Sequence, residues 1–278
     1  MADIQETLRK RAKELLESGQ VLYLIGWEAT RTENKMRTAF IDSAEDADTL
    51  VWNKYCVTSP AGYLLNDRWP KGKIAVCVRG CDSRAVNRML ADKQIKRENL
   101  YLIGIPCEGV ENPVCEVCAH RNPLVYDELI GQAVAEKTVP DRFAAVAEIE
   151  RMPLEKRREY WESQYNKCIR CYACRNACPA CNCRECFADQ YRTGWQGKQI
   201  NPSENKIYWL TRGYHVGDRC IECGECERAC PMGLSVMKIP GKMLMDINNL
   251  YGSYECALTD DHAAALGEYE LSEADDFM

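Results

Sequence analysis

The strongest constraint on this chain is a cysteine spacing that occurs twice. Cys168-x2-Cys171-x2-Cys174-x3-Cys178-Pro179 is matched in register by Cys220-x2-Cys223-x2-Cys226-x3-Cys230-Pro231. C-x2-C-x2-C sets three thiolates on one side of a [4Fe–4S] cube, and the cysteine before proline reaches the neighbouring cube. That crossing assigns Cys168, Cys171, Cys174 and Cys230 to one cluster, and Cys220, Cys223, Cys226 and Cys178 to a second. C-x2-C also occurs in zinc knuckles, but zinc has no need of the doubled motif. Cys174-x3-Cys178-x2-Cys181 has the spacing of a radical-SAM site. It lies inside the first motif, however, and no barrel of repeated strands follows it.

The motifs use eight of eighteen cysteines, and only three histidines are present. Such a thiolate-rich ligand pool selects iron–sulfur clusters or zinc. The cysteines are clustered, and the opening MADIQETLRK has no apolar core of a signal peptide. Both features argue for reduced thiols in the cytoplasm rather than a secreted disulfide scaffold. A net charge of −6 gives no reason to propose nucleic acid or an anionic membrane surface as a partner. Apolar runs such as VLYLIGW (21–27) are far too short to span a bilayer. No G-x-G-x-x-G or Walker loop is present, so direct use of NAD or ATP has no support.

Hydrophobic periodicity divides the chain. Ile4, Leu8, Ala12, Leu15 and Leu16 fall at helical spacing, and Gly19 stops that helix. VLYLIGWEA (21–29), KIAVCV (73–78) and LYLIGIPC (100–107) read as strands, and DSRAVNRMLADKQI (82–95) as a helix with Asp82 or Ser83 near its N-cap. Residues 38–53 read as strand, then helix. Strand–helix–strand at these lengths predicts an α/β domain over 1–137, with a small mixed or parallel sheet. A helical connector follows at 138–167. An α+β dicluster ferredoxin-like domain over 168–240 carries a long insertion at 179–219. The C-terminal extension (241–278) ends in an acidic tail, readable as solvated or as a segment that orders on a partner. The aromatic-rich segment 191–215 reads as packing that shields clusters from water or as a partner-docking surface, packing being the favoured reading.

The remaining thiols fall into two groups. Cys181, Cys183 and Cys186 form a C-x-C-x2-C set inside the insertion. Cys81, Cys107, Cys115 and Cys118 lie near strand ends and a helix start, which converge on one edge of an α/β sheet. They predict a third cluster. Cys56 is then available to complete a fourth with Cys181, Cys183 and Cys186. A zinc knuckle at Cys115/Cys118, ordinary burial of Cys56 and Cys81, and a five-thiol non-cubane cluster stay open. Cys77 and Cys256 are left as buried or free thiols. Arg79, Asp82 and Arg84 sit where a βα turn can bind an anion, although a structural role, such as bonding to a cluster or to loop carbonyls, is the better reading.

GCDSRAV (80–86), LIGIPCEG (102–109), CEVCAHRNPLVYDELIG (115–131), KCIRCYACRNACPACNCRECF (167–187) and YWLTRGYHVGDRCIECGECERACPMGL (208–234) occur in this order. They resemble the iron–sulfur beta-type subunits of anaerobic hydrogenases, formate dehydrogenases, heterodisulfide-reductase-like complexes and sulfite reductases. The resemblance implies a non-catalytic electron-transfer subunit. It would relay single electrons between a catalytic subunit and another redox subunit, or soluble ferredoxin. Relatives that reduce a deazaflavin carry flavin in a larger domain, and the short C-terminal part makes flavin doubtful here. The alternatives are a stand-alone iron–sulfur enzyme with an open-site N-terminal cluster, or a redox sensor.

Overall fold

The computed structural model describes residues 4–66, 69, 71–135, 137–261 and 263–267. His262 and most of the acidic tail lie outside them. Nearly the first half of the chain folds as an α/β unit. Helix α1 (Ile4–Glu17) leads to strand β1 (Tyr23–Ala29), which pairs antiparallel with β2 (Met36–Ile41). β3 (Ile74–Val78) pairs parallel with β1, β4 (Leu100–Gly104) parallel with β3, and the short β5 (Glu128–Leu129) parallel with β4. The sheet order is β2-β1-β3-β4-β5, so the mixed alternative holds.

Alternation along the strands builds two cores. Ile74, Val76 and Val78 face helix α2 (Gly80–Ala91), packing with Ala85, Val86 and Met89. Ala75 and Cys77 face α1, packing with Leu8, Ala12 and Leu15. Cys77 is therefore a core thiol. The expected helix within 43–53 is only a 3-10 turn over Glu45–Thr49. The predicted strand at 100–107 ends at Gly104, which leaves Cys107 in the following loop.

Helix α2 starts earlier than its sequence suggests, at Gly80. Asp82 therefore lies in the first turn rather than at the N-cap, and its carboxylate accepts the Arg79 N–H at 3.1 Å. The helix is buried almost all round, and its polar groups are answered by the C-terminal extension. Arg84 donates to the Cys256 carbonyl at 2.8 Å, and Asn87 to those of Ala257 and Leu258.

Helices α3 (Ala144–Arg151) and α4 (Leu154–Lys167) form the connector, with Pro153 at the N-cap of α4. Beyond it come the short α5 (Ala173–Asn176), α6 (Pro202–Val216), the short α7 (Glu225–Arg228) and α8 (Lys238–Tyr251). α6 packs against α4 and α8, and α5 against α7. No strand forms among the described residues of 168–240, so the α+β expectation there is corrected. Cysteine loops, 3-10 turns and helices occupy this region instead.

Candidate metal centre

The cysteine repeat is copied in the backbone. Arg170 and Tyr172 in the first motif have φ of 47° and 62°; Glu222 and Gly224, at the same offsets in the second, have 58° and 73°. Three of these four left-handed residues are not glycine, a conformation that costs energy and so marks a constrained loop. Each pair coils its loop so that the Cys-x2-Cys-x2-Cys thiols share one side, and each loop then runs into a short helix, α5 or α7. In the first loop the Arg170 N–H points to Cys168 Sγ at 3.4 Å.

The two loops cross. Cys168, Cys171, Cys174 and Cys230 line one narrow cleft, walled by Tyr208 and Trp209. Trp209 Nε1–H donates to Cys168 Sγ at 3.3 Å, and Tyr208 Oη stands 3.7 Å from Cys174 Sγ. On the other side, Cys178 raises the pKa of Cys220, Cys223 and Cys226. Burial is the larger cause in all three, pushing the Cys226 thiol up to about 12. Cys178 itself is held low, chiefly by a hydrogen bond from Cys181. Arg212 on α6 is buried beside Cys174, Cys178, Cys181 and Cys226.

A third gathering of thiols lies at the sheet edge. Cys81 opens α2, Cys107 follows β4, and Cys115 and Cys118 lie in and just after a 3-10 turn (Pro113–Val117). Cys118 and Cys107 both act on Cys81, and Cys115 acts on Cys107 and Cys118. Burial raises Cys81, Cys107 and Cys118, so each must lose a proton to bind metal. Gly80 permits the gathering, because a Cβ there would stand 2.1 Å from the His120 carbonyl oxygen. A larger residue would push the Cys118 loop off Cys81.

Cys56 does not join Cys181, Cys183 and Cys186. It is buried in the α1-side core, where its thiol meets the Asn53 N–H at 3.4 Å and burial, with a smaller effect from Cys107, raises its pKa. The expected fourth set is thus corrected. Segment 51–58 is anchored by Arg79, which donates to the Cys56 and Thr58 carbonyls at 2.6 and 3.1 Å, and this holds Cys56 at the sheet.. Arg79 also pairs with buried Asp82 at 2.6 Å. These contacts, with the Arg84 bond to the Cys256 carbonyl, bear out the loop-carbonyl reading of the two arginines, and Asp82 holds Arg79 in place. Cys181, Cys183 and Cys186 line a separate cavity with α6.

Sequence reasoning missed Arg212, Tyr208 and Trp209 as individual site residues. Their signal was present: Asn205, Tyr208, Trp209, Arg212 and Val216 recur at helical spacing and form the buried face of α6. It also missed a charged cluster over the third gathering. His120 pairs with Glu255 at 2.6 Å, and Arg142 with Glu222 at 2.7 Å.

All eighteen cysteines are unbridged. Among the described residues, no three His, Cys, Asp or Glu side chains converge tightly enough to hold a single metal ion. The crossed thiols instead ring their clefts, a donor set that fits the separate corners of a cube. Soft, sulfur-only donors on crossed dicluster loops define an iron–sulfur electron-transfer protein. Residues 164–234 match the 4Fe-4S dicluster domain family. The chain is similar to the F420-dependent formate dehydrogenase subunit beta of Methanocaldococcus jannaschii, 21% identical over 77% of this chain and 81% of that protein. It is also similar to the F420-dependent formate dehydrogenase 1 subunit beta of Methanococcus maripaludis, 23% identical over 56% of this chain and 67% of that protein. The dicluster domain supplies [4Fe–4S] clusters as one-electron carriers. Among the described residues, no helix is long and apolar enough to cross a membrane.

Proposed function

We propose that this chain is the electron-relay subunit of a cytoplasmic formate-dehydrogenase-type complex. Cys168, Cys171, Cys174 and Cys230 hold one [4Fe–4S] cluster, and Cys178, Cys220, Cys223 and Cys226 the next. Cys81, Cys107, Cys115 and Cys118 hold a third. The division at 1–137, 138–167, 168–240 and 241–278 gives each part a role: a sheet domain for the third cluster, a helical spacer, the ferredoxin pair with 179–219 inserted, and a clasp on α2. The names of the relatives favour formate dehydrogenase within the wider group of complexes.

The observation that carries the reading is the contact between the third gathering and the second motif. A Cβ on Gly224, beside Cys223, would stand 3.0 Å from Val114, beside Cys115. Cys81, Cys115, Cys118 and Cys223 line one cavity of about 150 Å³. This contact, with the crossing of the two motifs, supports a continuous series of three thiol sets, which a wire requires and three isolated structural sites do not. Tuning falls to hydrogen bonds on sulfur, burial and nearby charge, as at Trp209 and Arg212.

The test is rapid reduction of the full chain by formate under anaerobic conditions, with and without its catalytic partner. Bleaching of the clusters only with the partner, and no turnover by the chain alone beyond dye reduction, is the expected result. Formate turnover by the isolated chain would overturn the relay in favour of a stand-alone enzyme.

A further inference from the structure

We propose that Cys181, Cys183 and Cys186 hold a fourth [4Fe–4S] cluster whose remaining corner is ligated by the imidazole of His215. The proposal rests on the relay reading above and extends it by one site. The three thiols and His215 line a common cavity of about 260 Å³ between the 175–189 segment and the end of α6. The loop and the helix are fastened at this point. Phe187, which follows Cys186, meets the His215 ring edge-on with centroids 5.4 Å apart.

No cysteine is left to complete the set. Cys56 and Cys77 are buried in the α1-side core. Cys256 is buried against α2. Cys178, the thiol beside Cys181, belongs to the second motif's gathering. His215 is the one further nitrogen or sulfur ligand side chain of metal-binding type among the described residues that line the cavity, and it is exposed.

The surrounding charge fits a cluster. Arg212 is 4% exposed, and its Nε has no hydrogen-bond partner among the described residues. Its guanidinium lies beside Cys178 and Cys181, and Arg175 lies beside Cys186. Arg175 is paired with Asp189 at 2.8 Å, whereas the buried, unanswered Nε of Arg212 calls for an anion. Three thiolates and one neutral imidazole carry one negative charge less than four thiolates, which makes a cluster easier to reduce. Cys183 is exposed, so this cluster lies at the surface, and Cys181 links it to the Cys178 corner of the second cluster. It forms an electron-accepting terminus of the relay. Its assembly forms three Fe–S bonds and one Fe–N bond and releases the three thiol protons to solvent.

The test uses the full chain assembled anaerobically, as wild type, His215→Ala, His215→Cys and the triple variant Cys181→Ser, Cys183→Ser, Cys186→Ser. Iron and acid-labile sulfide are counted, and pulsed EPR is recorded with 15N-labelled histidine. The triple variant is expected to lose about four iron per chain, one cube, while keeping the spectrum of the ferredoxin pair. Wild type is expected to show a strongly coupled histidine nitrogen that His215→Ala removes. His215→Cys is expected to shift one midpoint to lower potential. An unchanged iron count in the triple variant, or a wild-type spectrum with no histidine coupling, overturns the proposal. Failure of the relay reading is separate, because it would appear in wild type as formate turnover without a partner.

Discussion

The ferredoxin loops and the thiol gathering at the sheet edge bring sulfurs together by opposite means. In each loop, three thiols lie within seven residues, and two left-handed residues turn them to one side. The geometry is local and is written twice. At the sheet edge, Cys81, Cys107, Cys115 and Cys118 span 38 residues and meet only because β3, α2 and β4 are already in place. One close approach, Gly80 against the His120 carbonyl, seats the loop. A loop-coded site needs its own conformation and one thiol from the other loop. A topology-coded site needs a folded domain first.

The largest expected effect tests the crossed pair. Cys226→Ser removes a corner from the second motif and should cost about four iron per chain, measured by iron and sulfide analysis. The N-terminal spectrum should survive, since its sulfurs come from another domain. The next comparison is between neighbours. Cys107→Ser should remove about one cube from the sheet edge. Cys56→Ala should keep every iron and cost only about 1 kcal/mol of stability, read by chemical denaturation. Equal iron loss in both would make Cys56 a ligand and dissolve the distinction between core thiol and site thiol.

Smaller effects sharpen the setting of the sheet-edge site. Glu255 is held down to about 2 by its hydrogen bond with His120 and by Arg84 and Arg142, against the cost of burial. Its folded pKa is depressed, so its contribution is fully present above the ordinary value of 4.5 and is lost as pH falls from there toward 2. Glu255→Gln should therefore destabilise by about 2 kcal/mol at neutral pH, discounted for partial exposure. That gap should close below pH 4.5 when melting temperatures of the two proteins are compared. The smallest effect is on a potential. Trp209→Phe removes the N–H donor to Cys168 Sγ and should lower one cluster midpoint by about 40 mV, the equivalent of one modest hydrogen bond. Redox titration followed by EPR reads it.

Local features were legible in the sequence, and long-range ones only in part. The crossed motif, the strands at 23–29 and 74–78, and helix α2 follow from spacing and periodicity. The gathering of Cys81, Cys107, Cys115 and Cys118 follows from the rule that strand ends and helix starts share an edge. Cys56 was misassigned because thiol counting carries no spatial information: Arg79 ties segment 51–58 to the sheet, and no sequence pattern announces that contact. The predicted α+β ferredoxin fold came from the doubled motif, which specifies the thiol positions and not the elements between them. Arg212 escaped notice because its role depends on a helix face turned toward the thiols, although the period that buries it was readable.

The most direct measurement is the EPR spectrum of the fully reduced, anaerobically prepared chain, recorded beside that of Cys107→Ser. A continuous relay places the sheet-edge cluster close enough to the second motif's cluster for their spins to interact. Wild type should then give a broadened, coupled spectrum that simplifies to that of the ferredoxin region in the variant. Spectra that superimpose, with zinc found in the wild-type protein, would contradict a continuous wire and leave a ferredoxin joined to a zinc-stapled domain.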